Sequence, residues 1–349
     1  MTSEDCKEIG LDLGVFLRRH ADAALAEALG AIGLTAIDLS HHIRRGALAG
    51  NFAAQAGSAN PDGDAQKALD VYADALFHEG MKGCGVRAIV SEERKHPTPL
   101  DEQGGLLIAI DPLDGSSNID ANISIGTIFS LLDAPPSGVV GAVDFLQTGR
   151  RQRAAGFVLY GPQTSMVFTT GEGVHAATLD PDDHAFKMSR LRQTIPEGSA
   201  EFAINASNYR HWRAPVRAYF DDCIQGEDGP RSKNFNMRWI GSMVADIYRV
   251  LMRGGIYLYP ADERPGCAKG RLHVLYEASP AAMLIEQAGG AAIDGAGPIL
   301  DIEPRDIHAR TPLIFGSSDK VARIGRYFVG SEHSADRSPL FGKRGLLRR

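Results

Sequence analysis

Three things are scarce in this chain: positive charge in excess of negative, paired cysteines and long apolar runs. Lys and Arg number 37 against 43 Asp and Glu, a formal charge of −6. Such a chain has no general attraction for polyanions, so nucleic-acid and anionic-membrane partners are set aside. Phosphate, if handled, must be handled locally by metal ions or a few placed cations. The four cysteines, Cys6, Cys84, Cys223 and Cys267, include no C-x-x-C pair. That excludes a zinc ribbon or disulfide scaffold and suits a reducing compartment. No apolar run approaches the roughly 18 residues of a membrane span, and the stretch from Met1 to Cys6 is acidic where a secretory signal is basic. The expectation is a cytoplasmic enzyme or binding protein.

What is present is ordinary globular material: 349 residues, 44% hydrophobic and 23% charged, too long for one core and so expected to form two domains. Ala- and Leu-rich periodicity predicts helices over Leu11–Arg19 and Ala23–Leu48, then a loop from Asn51 to Asp64 and a helical pattern from Gln66 to Glu79. Short apolar runs follow. Val86–Val90 and Leu106–Ile110 suit strands covered on both faces. Thr127–Leu132, Val139–Phe145, Ala154–Tyr160 and Thr164–Thr169 read as further strands. The polar stretch Asp180–Ser199 has no apolar period and marks a boundary between residues 1–193 and 194–330. Beyond it, the spacing predicts a helix over Met237–Arg253, a strand over Ile256–Tyr259 and a helix capped by Ser279 that ends at Gly289-Gly290. A last strand, Leu313–Phe315, leads to a helix through Phe328 capped by Ser317 or Ser318. Residues 331–349 read as a polar, then basic, disordered tail. The fold class is mixed α/β (α+β) in two layered domains.

The most informative string is Asp111-Pro-Leu-Asp114-Gly115-Ser116-Ser117-Asn-Ile-Asp120. An apolar strand delivers two carboxylates, three residues apart, at its C-terminal end, where sites in α/β proteins gather. Leu113 can bury its side chain while its carbonyl oxygen joins the acids. Hard oxygen ligands with no His or Cys beside them in sequence suit Mg²⁺ or Mn²⁺. Gly115-Ser116-Ser117 offers N–H groups and hydroxyls at an expected helix start, where phosphate binds readily. Acids beside an anion cradle make sense when divalent cations sit between them, so the pattern points to metal-assisted phosphoryl transfer. Alternatively, Asp111 and Asp114 belong to a solvated loop and Gly-Ser-Ser to turn chemistry.

The ten-residue string resembles the signature of class I fructose-1,6-bisphosphatases, and the resemblance runs through most of the chain: Ser91-Glu-Glu93, Ser124-Ile-Gly-Thr-Ile-Phe129, Gly241-Ser-Met-Val-Ala-Asp246, Gly255-Ile-Tyr-Leu-Tyr-Pro260, Leu275-Tyr-Glu-Ala-Ser-Pro280 and Glu286-Gln-Ala-Gly-Gly290, in order. The resemblance implies a layered α-β-α-β-α sandwich of the sugar phosphatase fold. Its first domain carries most metal ligands and is a vestige of an allosteric half; its second binds the sugar phosphate. It further implies Mg²⁺ or Mn²⁺, two or more per subunit, held by Glu92, Asp111, the Leu113 carbonyl, Asp114 and Glu277. Asp64, Asp70 and Glu93 would position or deprotonate the attacking water. Gly115, Ser116 and Ser117 would cradle the reacting phosphate. Asn205, Tyr209, Tyr257, Tyr259 and Arg271 would hold the second phosphate, Met243 would lie against the sugar, and Arg238 would reach a neighbouring subunit's site in a tetramer.

The chain departs from the family pattern where Arg271 replaces a common lysine, Trp239 a tyrosine and His273 a frequent arginine. The Gly-Thr-Gly-Glu-Met-Thr-like loop that binds AMP in many members is missing between the first two helices, and Gly105-Leu106 stands for an expected Lys-Tyr pair, so AMP inhibition through that site is expected to be weak or absent. The implied reaction is hydrolysis of the 1-phosphate of fructose 1,6-bisphosphate, in gluconeogenesis or carbon fixation. Sedoheptulose 1,7-bisphosphate hydrolysis and a non-catalytic sugar-phosphate sensor stand as alternatives.

Overall fold

The computed structural model describes residues 5–50, 54–59, 61 and 65–330. Asp64 and the expected tail 331–349 lie outside the described residues. After a single turn, α1 (Asp5–Glu8), two helices run almost end to end: α2 (Leu13–His20) and α3 (Ala23–Arg45). Asp22 between them accepts a hydrogen bond from the Leu25 N–H at 3.0 Å, closing the N-terminus of α3. Length and composition alone would let α3 cross a membrane, but half of its apolar stretch is buried inside the protein. The expected loop contains β1 (Gln55–Ala59), paired antiparallel with β2 (Ala65–Lys67). α4 (Ala68–Gly80) then begins where Asp70 Oδ2 accepts the Lys67 N–H at 2.7 Å.

Eight strands form the first sheet: β3 (Val86–Ser91), β4 (Thr98–Pro99), β5 (Leu106–Asp114), β6 (Ile125–Asp133), β7 (Ala154–Tyr160), β8 (Thr164–Thr169), β9 (His175–Asp180) and β10 (Ala185–Arg190), in the order β10-β9-β8-β7-β6-β5-β3-β4. Only β3 and β5 are parallel neighbours. All nine residues of β5 are buried, as a strand covered on both faces requires. Two expectations fail here. Val139–Phe145 is no strand: the segment follows Pro135-Pro136-Ser137-Gly138, Val139 is 99% exposed, and Ala142–Phe145 is a 3₁₀ turn. The segment read as lacking a period holds β10, which pairs with β9 over Asp180–Ala185 and beyond.

The second sheet is built from β11 (Glu201–Ile204), β12 (Asn236–Met237), β13 (Ile256–Tyr259), β15 (Gly290–Ile293) and β17 (Leu313–Ser317), in the order β12-β11-β13-β17-β15; a separate pair joins β14 (Leu272–His273) to β16 (Arg310–Thr311). Its helices are α5 (Ala214–Ile224), α6 (Met243–Arg253), α7 (Ser279–Gln287) and α8 (Ser318–Phe328). The core shows the layers. Leu29, Ile32 and Phe77 pack on Phe129, Val158 and Met166 on the outer face of the first sheet. Ile128, Phe157 and Val167 on its other face meet Val244, Ile247 and Leu284 of α6 and α7, which also cover Tyr257 and Phe315 of the second sheet. Val216 and Tyr219 of α5 and Ile324 of α8 close the far side. Alternate strand residues thus serve opposite cores, giving α-β-α-β-α.

Two helix starts differ from expectation. α6 begins at Met243, not Met237, because Gly241 has φ +83° and residues 236–237 pair as a strand; Ile240, expected on the core stripe, is 36% exposed. Ser279 does not cap α7, since a π-helical turn, Val274–Ala278, runs straight into it.

Candidate active site

The carboxylates converge through a register break. Asp111 faces Ile128 and Asp114 faces Gly126, so β5 carries one residue more than β6 between these pairs, a bulge at Pro112-Leu113. Pro112's carbonyl accepts the Thr127 hydroxyl at 2.9 Å, Leu113's N–H donates to Asp111 Oδ1 at 3.0 Å, and the Leu113 side chain enters the first core. Without the bulge, residues 111 and 114 would point to opposite faces. With it, Asp111, Asp114 and Glu277 bring one oxygen each within 4.8 Å of one another. Glu92 follows the parallel neighbour β3 and donates its N–H to Ile110's carbonyl at 3.1 Å.

Asp114 also fixes the second layer. Its Oδ2 accepts the Val244 N–H at 3.0 Å and the Ser242 hydroxyl at 3.3 Å, so a strand of one sheet caps α6 beneath the other. Gly126 permits this approach: a Cβ there would lie 2.4 Å from Val158's carbonyl oxygen and 2.6 Å from Val244 Cγ2.

Like charges this close and this buried raise one another's pKa. Burial first, then Glu277 and its neighbours, push Glu92 up to about 8. Burial, then Glu92 and Asp114, drive Asp111 well above the carboxylate range, and burial lifts Asp114 to about 7 despite its hydrogen bonds. The group needs either protons or cations to exist. An oxygen-rich set of buried carboxylates fits hard divalent cations. The sequence reading of an all-oxygen site is nevertheless incomplete: the fold places His273 Nδ1 3.3 Å from Glu277 Oε2 and 3.5 Å from Glu92 Oε1.

Gly115, Ser116 and Ser117 follow directly. The expected helix start is a single 3₁₀ turn, Ser116–Asn118, so the loop offers local N–H groups and hydroxyls without a helix dipole. Asn118 Nδ2 donates to Gly241's carbonyl at 3.1 Å, tying this loop to the entry of α6.

Of the acids expected to handle water, Asp70 is 3% exposed and sits at the start of α4. Burial raises it to about 6, and its Oδ1 has no hydrogen-bond partner among the described residues. Glu93 adjoins Glu92, its N–H on Ser91 Oγ at 3.2 Å. Sequence reasoning missed buried Asp74, which pairs with Arg94 at 2.7 Å and His78 at 3.3 Å and so braces the turn after β3. Its signal was visible only as an acid four residues before a histidine on α4.

On the sugar side, Asn205, Tyr259 and Arg271 line one cleft with Asn208, Trp212 and Arg264, the last gripped by buried Asp262 at 2.5–3.0 Å. Trp239 stacks on Tyr257 (centroids 5.4 Å, 11°) and on Tyr259 (6.0 Å, 30°). Tyr257 is buried against Phe315, and Met243 lies in the core between the sheets. Tyr209 is not brought to the cleft: its hydroxyl donates to Asp221 Oδ1 at 2.9 Å and its ring packs on Trp212 and Phe220. Arg238 is exposed, with Nη1 on its neighbour Met237's carbonyl at 3.2 Å.

The chain is similar to known proteins over most of its length. Residues 15–190 match the family model described as fructose-1-6-bisphosphatase, N-terminal domain, and residues 195–329 the C-terminal domain. The "Fructose-1,6-bisphosphatase class 1" of Paracoccus denitrificans (strain Pd 1222) is 52% identical over 330 residues, 95% of each chain. That of Rhodopseudomonas palustris (strain HaA2) is 51% identical over 97% of this chain and 100% of its own. Among solved structures, Leishmania major fructose-1,6-bisphosphatase in holo form superposes with a TM-score of 0.85 at 32% identity, covering 91% of this chain and 99% of the other. This chain belongs to the fructose-1,6-bisphosphatase class 1 family.

Proposed function

We propose that the chain hydrolyses the 1-phosphate of fructose 1,6-bisphosphate, giving fructose 6-phosphate and phosphate. The observation carrying this reading is the convergence of Asp111, Asp114 and Glu277 beside the Gly115-Ser116-Ser117 loop, in a member of this family. Glu92, Asp111, the Leu113 carbonyl, Asp114 and Glu277 would hold Mg²⁺ or Mn²⁺, two or more per subunit. The chemistry such ions supply is activation of water and neutralisation of phosphoryl charge.

The protein's own groups do the rest. N–H groups and hydroxyls of Gly115, Ser116 and Ser117 bind the 1-phosphate. A bond forms between water oxygen and phosphorus as the bond to the sugar's C1 oxygen breaks, that oxygen leaving on fructose 6-phosphate and taking a proton from solvent. Asp70 accepts the water proton on Oδ1, its pKa of about 6 leaving it largely ionised at neutral pH. Glu93 and Asp64 are proposed to orient that water. Asn205, Tyr259 and Arg271 take the distal phosphate, Trp239 walls the sugar with Tyr257 stacked behind it, and Arg238 serves a neighbouring site in a cytoplasmic homotetramer. We place the domain division near residue 193, between the two sheets. Weak AMP response is supported by the tight α2–α3 connection, where Asp22 caps α3 and pairs with Arg153 at 2.7 Å.

Phosphate release from fructose 1,6-bisphosphate with Mg²⁺, abolished by chelator, is the expected result. The kcat/KM ratio against sedoheptulose 1,7-bisphosphate assigns the preferred sugar. Release from neither substrate leaves the sensor reading standing.

A further inference from the structure

The described carboxylates and His273 fall into two groups that share Glu277: Asp111, Asp114 and Glu277, all oxygen, and Glu92, His273 and Glu277, mixed. We infer that His273 supplies an imidazole nitrogen to one of two chemically unequal cation positions, so that this position selects transition-metal ions over Mg²⁺. The inference rests on the proposed metal-dependent reading of the site.

The backbone builds the mixed group. His273 ends β14, held by pairing with Arg310 of β16, and the π-helical turn after it returns Glu277 to its side. Glu277 Oε2 accepts the His273 backbone N–H at 2.6 Å, so ring and carboxylate share one face. The imidazole is 2% exposed, with Tyr276 and His308 against it at 5.4 and 5.9 Å. Neighbouring ligand atoms on a six-coordinate ion with bonds of about 2.1 Å lie roughly 3 Å apart. Nδ1 stands 3.3 Å from Glu277 Oε2 and 3.5 Å from Glu92 Oε1, within a few tenths of that spacing. Imidazole favours the later first-row ions, whereas Mg²⁺ prefers carboxylate, carbonyl and water. The family pattern's arginine could not ligate at this place; His273 can.

The test is pulsed EPR on the wild-type protein loaded with Cu²⁺, a later first-row ion, with and without ¹⁵N-histidine labelling. The expected spectrum carries a directly coordinated ¹⁴N signal that labelling converts to ¹⁵N. A spectrum without histidine nitrogen coupling overturns the inference, and needs no variant. In His273→Gln, zinc and nickel affinity should fall by about tenfold or more while Mg²⁺ affinity changes less than about threefold. Equal loss for all three ions, or no loss, would instead make His273 an ion-pair partner of Glu92 and Glu277. The functional reading is judged separately: nitrogen coupling in a protein that releases no phosphate sinks that reading alone, and an active enzyme without coupling sinks the inference alone.

Discussion

At the end of β5, three carboxylates lie buried within 4.8 Å of one another, and backbone N–H groups of Leu113 and Val244 hold two of them in place. At the end of β13, the cleft around exposed Arg271 is lined by the ends of β11 and β13 and the loops after them, carries two arginines, and has Trp239 stacked on its Tyr259. The first region spends stability: its acids repel one another and must be neutralised. The second carries no such repulsion: Arg264 is paired with Asp262, and the rings stack at ordinary distances. Repulsion and rigidity suit a place where charge changes during reaction, whereas open cations suit a place that only recognises a dianion. Deletions in the first region should therefore strike kcat and deletions in the second KM.

The largest effect should come from Asp111→Asn. With a hard anionic ligand removed, kcat should drop on the order of 10³-fold or more, together with metal affinity; steady-state kinetics across a Mg²⁺ titration checks both. A variant that recovers full kcat at high Mg²⁺ would confine Asp111 to binding. Next, Asp70→Asn should lower kcat by about 10²-fold. The wild-type rate should fall as pH drops through about 6, where Asp70 takes up its proton, and that acid limb should vanish in the variant. Arg271→Ala should raise KM for the bisphosphate by roughly tenfold to a hundredfold with little change in kcat. Fructose 1-phosphate, which lacks the distal group, should show no such penalty.

Stability reports the same contrast. Without metal, Glu92 and Asp114 keep their protons up to about 8 and about 7 in the folded protein, but lose them near 4 when unfolded. The folded state binds more protons across that window, so the melting temperature in chelator should fall as pH rises from about 4 to 8. Calorimetry with added Mg²⁺ should flatten the slope, and a melting temperature rising over the window would contradict the raised values. The smallest effect belongs to Tyr209→Phe. Its hydroxyl serves Asp221, so KM should move less than about twofold.

Some of this was legible in the sequence. β3, β5, β6, β7 and β8 are continuous apolar runs because both faces are covered, and such runs announce themselves. β9 and β10 do not: His-Ala-Ala-Thr-Leu-Asp and Ala-Phe-Lys-Met-Ser-Arg are short and mixed in polarity, and are ordered by the ladder β8-β9-β10. The false strand at Val139–Phe145 has β-branched residues, but no strand among the described residues pairs with it. The apolar period runs on through Gly241, where the backbone turns left-handed, so the period alone does not mark the start of α6. In the site, Asp111 and Asp114 were visible as a motif, while the bulge that makes them converge is a property of β5 against β6. His273 stands out in the sequence as a departure from the family pattern, yet its approach to Glu92, 181 residues earlier in the chain, follows only from the fold.

Anomalous diffraction from crystals grown with Mn²⁺ tests the central claim most directly. The account predicts ion peaks bounded by Glu92, Asp111, Asp114 and Glu277, next to the Gly115–Ser117 loop. An absence of peaks there, with the four side chains turned to separate partners, would contradict it.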